Sequence, residues 1–156
     1  MTQTEFSAPP VQSAAVQSVY DGMTAHHRAA ALALRSVIFE IAQDDPRIGR
    51  VEETLKWGQP AYLTHAPKSG TTLRIAEVKV SGKAGALGLY VPCSTTLISD
   101  FGAEFGGAYT RDGTRGIIFA APEFGQGNGP DDAPGSGAAV PDAIARFIHK
   151  ALVYHL

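Results

Sequence analysis

The strongest pattern in the chain is a helical repeat of apolar residues that follows Thr24. These residues recur at steps of three and four positions: Ala30, Leu34, Val37, Ile38 and Ile41. Such spacing places them on one face of an α-helix. Thr24 is suited to cap the start of this helix, and the sequence Asp44-Asp45-Pro46 ends it because a residue before proline avoids helical angles. The pattern predicts one long amphipathic helix.

Shorter segments on both sides of this helix complete an α+β pattern. We predict further helices over residues 13–21, 95–105 and 141–156, with Pro141 in the first turn of the last one. Imperfect apolar and polar alternation predicts strands over residues 54–57, 61–64, 71–80, 86–91 and 116–120. Because helices stand at both chain ends and βαβ alternation is missing, we expect a two-layer α+β sandwich. Its helices should pack on one face of an antiparallel or mixed sheet.

The length of the chain fits one domain. A chain of 156 residues can bury a core that needs no disulfide or metal for folding. Residues 1–12 are polar, lack any period and contain Pro9-Pro10, so we predict a flexible leader followed by a single domain over residues 13–156. Residues 125–137 read GQGNGPDDAPGSG, a composition that predicts a mobile glycine-rich loop.

Charge and hydropathy narrow the class of partner. Thirteen Lys and Arg residues stand against fifteen Asp and Glu, and no stretch gathers them into a basic stripe, so nucleic acid is not an expected partner. The apolar runs fall far short of the ~20 residues that a membrane helix needs, so no membrane association is expected. We predict a cytoplasmic protein, and the single Cys93 agrees with a reducing compartment. These features leave the oligomeric state open.

Acidic residues gather around the end of the long helix. The candidate ligands for a hard cation, or for iron, are Glu40, Asp44, Asp45, Glu52 and Glu53. Arg47, Arg50 and Lys56 are interleaved with them and can neutralise them. A solvated, ion-paired edge is therefore the interpretation that the cations favour, and a metal site is the alternative.

The most unusual string in the sequence is Leu55-Lys56-Trp57-Gly58-Gln59-Pro60-Ala61-Tyr62. It contains the single Trp of the chain, and its Gly and Pro predict a sharp bend in a strand. Rigid rings beside a few polar groups can form the wall of a small-ligand site, with Lys56, Trp57, Gln59 and Tyr62 as its candidate residues. In the alternative, Trp57 and Tyr62 anchor the core against the sheet.

No other pattern assembles a catalytic centre. The spacing of the five histidines does not match helical metal ligands, and neither a Gly-x-Ser-x-Gly elbow nor a helical His-Glu-x-x-His is present. Cys93 precedes a predicted helix start that could stabilise a thiolate, although a structural role is the favoured alternative. The glycine-rich stretches 81–85 and 125–129 do not open directly onto a helix, so they are interpreted as turn and linker.

An ordered set of motifs in this chain resembles a known family. The motifs are Leu34-Arg35-x-x-Ile38, then Glu53-Thr54-Leu55-Lys56-Trp57-Gly58-Gln59-Pro60-Ala61-Tyr62, then Gly88-Leu89-Tyr90, then Gly116-Ile117-Ile118-Phe119, and a final helix led by Pro141. Their order over about residues 14–156 resembles the YdhG-like family, domain of unknown function 1801. The resemblance implies a compact α+β sandwich with a frataxin-like layout. It also implies a role seen in some family members, that of an intracellular iron chaperone.

Two functions of different classes follow as expectations. The first is a non-enzymatic binding protein that holds a metal ion, iron included, or a small ligand near the bend at residues 56–62. The second is a protein-interaction module that docks a partner on the exposed face of the sheet or on the glycine-rich loop. An enzyme is the third interpretation, with Lys56, Tyr62, Tyr90 or Arg74 in acid–base chemistry, although their spacing does not bring them together.

Overall fold

Four helices and six strands make up the part of the chain that the structure describes. The structure is a computed structural model, and it describes residues 8–78, 86–105, 110–119 and 140–156. The helices are α1 (Ala14–Asp21), α2 (Ala25–Asp44), α3 (Leu97–Phe105) and α4 (Asp142–Leu152). The strands are β1 (Arg50–Lys56), β2 (Gln59–His65), β3 (Leu73–Val78), β4 (Ala86–Tyr90), β5 (Thr110–Asp112) and β6 (Gly116–Phe119). None of the described helices has the length and apolar character needed to cross a membrane.

The first two helices begin and end where the sequence predicts. Ser13 caps α1 by accepting a hydrogen bond from the backbone N–H of Val16. Thr24 caps α2 in the same way, through the N–H of His27. Side-chain oxygens at this position satisfy amide groups that have no partner within the helix. At the other end of the chain, Pro141 lies just before α4 and not in its first turn.

The strands form one antiparallel sheet in the order β1-β2-β3-β4-β6-β5. The predicted α+β layout with an antiparallel sheet and flanking helices is confirmed. Several element bounds differ from the predictions by a few residues, and the two largest differences concern strands. Strand β1 begins at Arg50, four positions before the predicted start, and the three-residue strand β5 was not predicted. The glycine-rich loop at 125–137 and most of the predicted leader lie outside the described residues.

The strand register decides which side chains meet the helices. Tyr62 pairs with Leu73, and Leu89 pairs with both Ile75 and Ile117, so these residues share one face of the sheet. All of them belong to the hydrophobic core together with residues of the four helices, and we call this the inner face. The side chains between them point to the opposite side, the outer face. There Arg74 stands between Ala61 on β2 and Tyr90 on β4.

Candidate functional site

A two-residue turn between β1 and β2 presents an indole to solvent. Lys56 pairs with Gln59, so Trp57 and Gly58 form the whole turn, with φ angles of 57° and 72°. Two consecutive positive φ values match the type I′ hairpin turn, in which Asn-Gly is the favoured pair. A bulky residue in this region is strained. The side chain of Trp57 gains no burial in exchange, because the residue is 86% exposed.

A row of polar and aromatic contacts crosses the outer face next to this turn. Arg74 Nη1 donates a hydrogen bond to Gln59 Oε1 at 2.7 Å, and its guanidinium carbon lies 5.5 Å from the centre of the Tyr90 ring. The Tyr90 hydroxyl in turn donates to Asp112 Oδ2 at 2.9 Å. The Arg74 side chain is thereby held by a neighbour on each side. A guanidinium stacked on an aromatic ring in this way keeps its remaining N–H donors directed outward.

Two glycines make room for the ring in the middle of this row. A Cβ atom added to Gly88 or to Gly116 would lie 2.5 Å from a carbon of the Tyr90 ring. Real Cβ atoms do not approach a ring so closely, so the ring occupies the space above the two glycines on strands β4 and β6. The absence of side chains at these positions is what allows Tyr90 to lie against the sheet beneath Arg74.

The row borders a pocket on the outer face. The pocket has a volume of about 430 Å³ and is lined by Trp57, Arg74, Arg115 and residues 91–94, which include Cys93. We call it the outer-face pocket. It combines one exposed indole with two cationic groups, which is a suitable composition for a site that recognises a small charged molecule.

The charge balance of the outer-face pocket is positive. Among the residues that the structure describes, no carboxylate lies within salt-bridge distance of Arg74. Arg115 has Asp112 as a neighbour, at 3.7 Å. The pKa of Arg74 is lowered from its ordinary value, mainly by burial and also by the charge of Arg115, although the nearby Tyr90 acts in the opposite direction. Within the described ranges, the half-buried Arg74 guanidinium thus has no paired anion to offset its desolvation.

The inner face carries a different polar network around Tyr62. Arg35 donates to both carboxylate oxygens of Glu53, at 2.5 and 3.1 Å. The Tyr62 hydroxyl donates to Glu53 at 2.6 Å, and the Tyr20 hydroxyl lies 2.5 Å from that of Tyr62. Since the single Tyr62 proton is given to Glu53, Tyr20 is the donor to Tyr62. We call these four residues the inner network. Burial strongly raises the pKa of both tyrosines, so both stay protonated at neutral pH.

The structure divides the predicted ligand wall between the two faces. Trp57 and Gln59 belong to the outer side, the first lining the pocket and the second bonded to Arg74. Lys56 is exposed beside the turn and does not line the pocket. Tyr62 is fully buried on the inner face, so it does not form a shared wall with Trp57. The core-anchor alternative describes Tyr62 correctly and fails for the exposed Trp57.

The carboxylates predicted as metal ligands are also divided. Glu52 and Glu53 are adjacent on β1 and therefore point to opposite faces of the sheet. Glu52 bonds to His65 and Glu53 to Arg35, while Asp45 binds both Arg47 and His149. Glu40 and Asp44 are exposed on α2. Within the described ranges, no three His, Cys, Asp or Glu side chains are grouped so as to hold a metal ion.

A second cavity lies along β1, which is an edge strand of the sheet. It has a volume of about 470 Å³ and is lined by residues of α2, of β1 and of the segment around Pro9 and Pro10. Its lining carries two arginines, Arg35 and Arg50, and two carboxylates, Glu52 and Glu53, and the buried pair Arg35–Glu53 forms a salt bridge. This cavity therefore offers a ligand less unsatisfied charge than the outer-face pocket does.

Two features of the outer-face pocket were not predicted. Arg115 was not identified as a candidate, and Arg74 and Tyr90 were considered only for acid–base chemistry with no reason to meet. They meet because β3 pairs with β4 and β4 pairs with β6, which places Arg74 and Tyr90 opposite each other and brings the turn before Gly116 to the same end of the sheet. The one sequence signal was the rarity of Trp57 next to Gly58.

Comparison with known proteins adds no further constraint. No family model, no curated protein and no solved structure matches the chain. The YdhG-like resemblance therefore stays a prediction that rests on the motifs quoted above.

Proposed function

We propose that the protein is a binding protein for a small anionic molecule, which it holds in the outer-face pocket. One observation carries this proposal: Arg74 is half-buried and charged, yet no carboxylate of the described residues lies within salt-bridge distance of it. Cys93, the single cysteine of the chain, has a free and exposed thiol at the pocket. Because free thiols persist in a reducing compartment, this agrees with the predicted location in the cytoplasm.

The physical reason lies in the cost of a desolvated charge. A guanidinium removed from water without a counter-ion is destabilising, and a bound anion offsets that cost. Carboxylates and phosphates match the planar donor fork of arginine, and such charge-assisted hydrogen bonds are about twice as strong as neutral ones. Arg115 stands at the same pocket and adds a second cation. Both arginines therefore favour a ligand with an acidic group.

The metal form of this function gains no support from the geometry. Three of the predicted ligands, Asp45, Glu52 and Glu53, bind cationic or histidine side chains of the chain itself. A metal ion in the outer-face pocket would meet two like charges. The ligand proposed is therefore an anion, and iron binding has no comparable argument.

Calorimetric titration with inorganic phosphate and acetate tests the proposal directly. We expect saturable binding by the wild-type protein and a loss of at least about tenfold in affinity for Arg74→Gln, since a hydrogen bond between charged groups contributes about 1.5–3 kcal/mol. Arg146→Gln is the matched control, because it removes the same charge from an exposed position on α4. Equal affinities of Arg74→Gln and wild type would contradict the proposal, as would the absence of saturable heat with both anions.

The protein-interaction alternative gains one specific observation. Trp57 is the largest apolar side chain that the described part of the chain leaves exposed, and Trp and Arg are the residues most enriched at the centres of interfaces. Under this alternative a partner protein would cover Trp57. Cross-linking through a photoreactive group at position 57 in cell extract would identify such a partner, and capture of small molecules alone would favour the anion site.

A further inference from the structure

The exposed indole of Trp57 indicates a chemical feature of the ligand beyond its negative charge. We infer that the acidic group of the ligand is attached to a flat aromatic or heteroaromatic ring, which stacks on Trp57 while the acid binds Arg74 and Arg115. This inference rests on the proposed function, because it names the class of anion that the same pocket would take.

The first argument is the cost of placing Trp at position 57. A type I′ turn is best formed by small residues that tolerate positive φ, and Trp57 adopts φ 57° in a turn where its ring is 86% exposed. Strained backbone that gains no packing within the chain is characteristic of functional positions. The indole lines the pocket from the turn of a hairpin whose seven residue pairs are in regular register. Its surface is therefore available to an external planar group.

The second argument is the division of labour within the pocket. Gln59 and Tyr90 fix the Arg74 guanidinium on the sheet, whereas Trp57 stands on the turn at the end of the β1–β2 strand pair. Charge and π-surface are thus presented by separate elements to one volume of about 430 Å³. A simple anion would satisfy the arginines and leave the indole exposed. A ring carrying the acid satisfies both.

The third argument is energetic. Stacking of a planar ring on an aromatic side chain contributes about 1–3 kcal/mol, which is a factor of about 5 to 150 in affinity. Trp offers the largest π-surface among the side chains and has only two rotatable bonds, so little conformational entropy is lost when it stacks. We therefore expect an aryl anion to bind at least about tenfold more tightly than the same anion without a ring.

The experiment compares pairs of probes that differ only in the ring. Phenyl phosphate is compared with inorganic phosphate, and benzoate with cyclohexanecarboxylate, by calorimetry and by Trp fluorescence. Because Trp57 is the single Trp of the chain, a change in emission reports the site without a label. We expect the aryl anions to bind at least about tenfold more tightly and to protect the indole from quenching by acrylamide.

Two kinds of variant separate stacking from charge. Trp57→Leu should abolish the preference for the aryl anions, so that phenyl phosphate and phosphate bind this variant with similar affinities, and Trp57→Phe should restore part of the preference. Arg74→Gln should weaken all four probes. Position 57 is exposed, so the substitutions there leave the core unchanged.

The outcomes distinguish this inference from the function beneath it. Equal affinity for phenyl phosphate and phosphate would contradict the inference that the ligand carries an aromatic ring, and would leave the anion site in place. Unchanged preference in Trp57→Leu would also overturn it. Failure of every anion to bind would contradict the anion-binding function itself. Tighter binding of benzylamine than of benzoate would show that the pocket prefers a cation, which also contradicts that function.

Discussion

The two faces of the sheet surround their arginines with different partners. On the inner face, Arg35 is buried and both of its carboxylate contacts are to Glu53, which also accepts from Tyr62. On the outer face, Arg74 has an amide oxygen and an aromatic ring as neighbours, with no salt bridge among the described residues. The first arrangement is electrostatically complete, and we propose that an external anion completes the second. The comparison separates residues that stabilise the fold from residues available for binding.

Removing the carboxylate of the inner network should have the largest effect on stability. Glu53→Gln leaves the buried Arg35 charge unpaired, and breaking a buried ion pair costs about 3–5 kcal/mol. Urea unfolding followed by circular dichroism measures the change. Glu52→Gln is the matched control, because its partner His65 and Glu52 itself are both more than two-fifths exposed, at 41% and 46%. We expect a change below about 1 kcal/mol for this control, and a similar loss in both variants would break the comparison.

Filling the space beneath Tyr90 should have the next largest effect. In Gly116→Ala the new methyl group meets the Tyr90 ring and forces it away from the sheet, which costs about 1–3 kcal/mol as overpacking does elsewhere. Anion affinity should fall as well, since the ring supports Arg74. Gly22→Ala serves as the control, because its φ of −78° suits any residue and its nearest neighbours are 3.5 Å away or more. Wild-type stability and anion affinity in Gly116→Ala would show that the ring is not confined there.

High pH should weaken the contacts that Tyr90 makes with Arg74 and Asp112 on the outer face. Burial, with the hydrogen bond to Asp112, raises the pKa of Tyr90 to about 12 from its ordinary value of 10.0. Because the folded state holds this proton more tightly than the unfolded state, the stabilisation is complete below pH 10 and is lost as the pH rises through about 12. After allowance for solvent screening we expect a loss of about 1 kcal/mol.

The variant Tyr90→Phe isolates this contribution from those of the other tyrosines. It has no phenol to ionise, so the stability difference between wild type and variant should shrink as the pH rises from 10.0 to about 12. Parallel pH profiles of the two proteins in urea unfolding would contradict the expected shift.

Replacing the strained indole should have the smallest effect and the opposite sign. Trp57→Asn places a residue that tolerates positive φ in the turn and removes no packing, so we expect a gain of about 0.5–1 kcal/mol. The same variant should lose the preference for aryl anions. Thermal unfolding measures the gain, with the exposed Lys68→Asn as a control for a change of surface composition. A loss of stability would show that Trp57 is held by the fold and is not available for binding.

Much of the architecture was predicted from local patterns. The apolar period and the Thr24 cap located α2, and the apolar spacing over residues 13–21 located α1, since these signals depend on neighbouring residues only. The start of β1 at Arg50 was missed because its charged residues alternate with only a few apolar ones. Strand β5 has three residues and no apolar side chain, so periodicity could not reveal it.

The candidate site was predicted in part. Trp57 and Gln59 were identified because a Trp-Gly pair and a nearby Pro form an unusual string. Tyr62 was placed with them because it is close in sequence, and the alternation of side chains along β2 sends it to the other face. Arg115 had no signal in its own neighbourhood.

The amino-acid sequence by itself determined the α+β class, the two N-terminal helices and the presence of one exceptional turn, because each was predicted from patterns among residues close in sequence. Only the tertiary structure decided that Arg74, Tyr90 and Arg115 share a surface with that turn. Strand order and register set which residues meet across the sheet, and both result from competition among distant segments for the same core. In the observed register Glu53 and Tyr62 face inward, where Glu53 pairs with Arg35, while Arg74 lies on the outer face with its charge unpaired among the described residues.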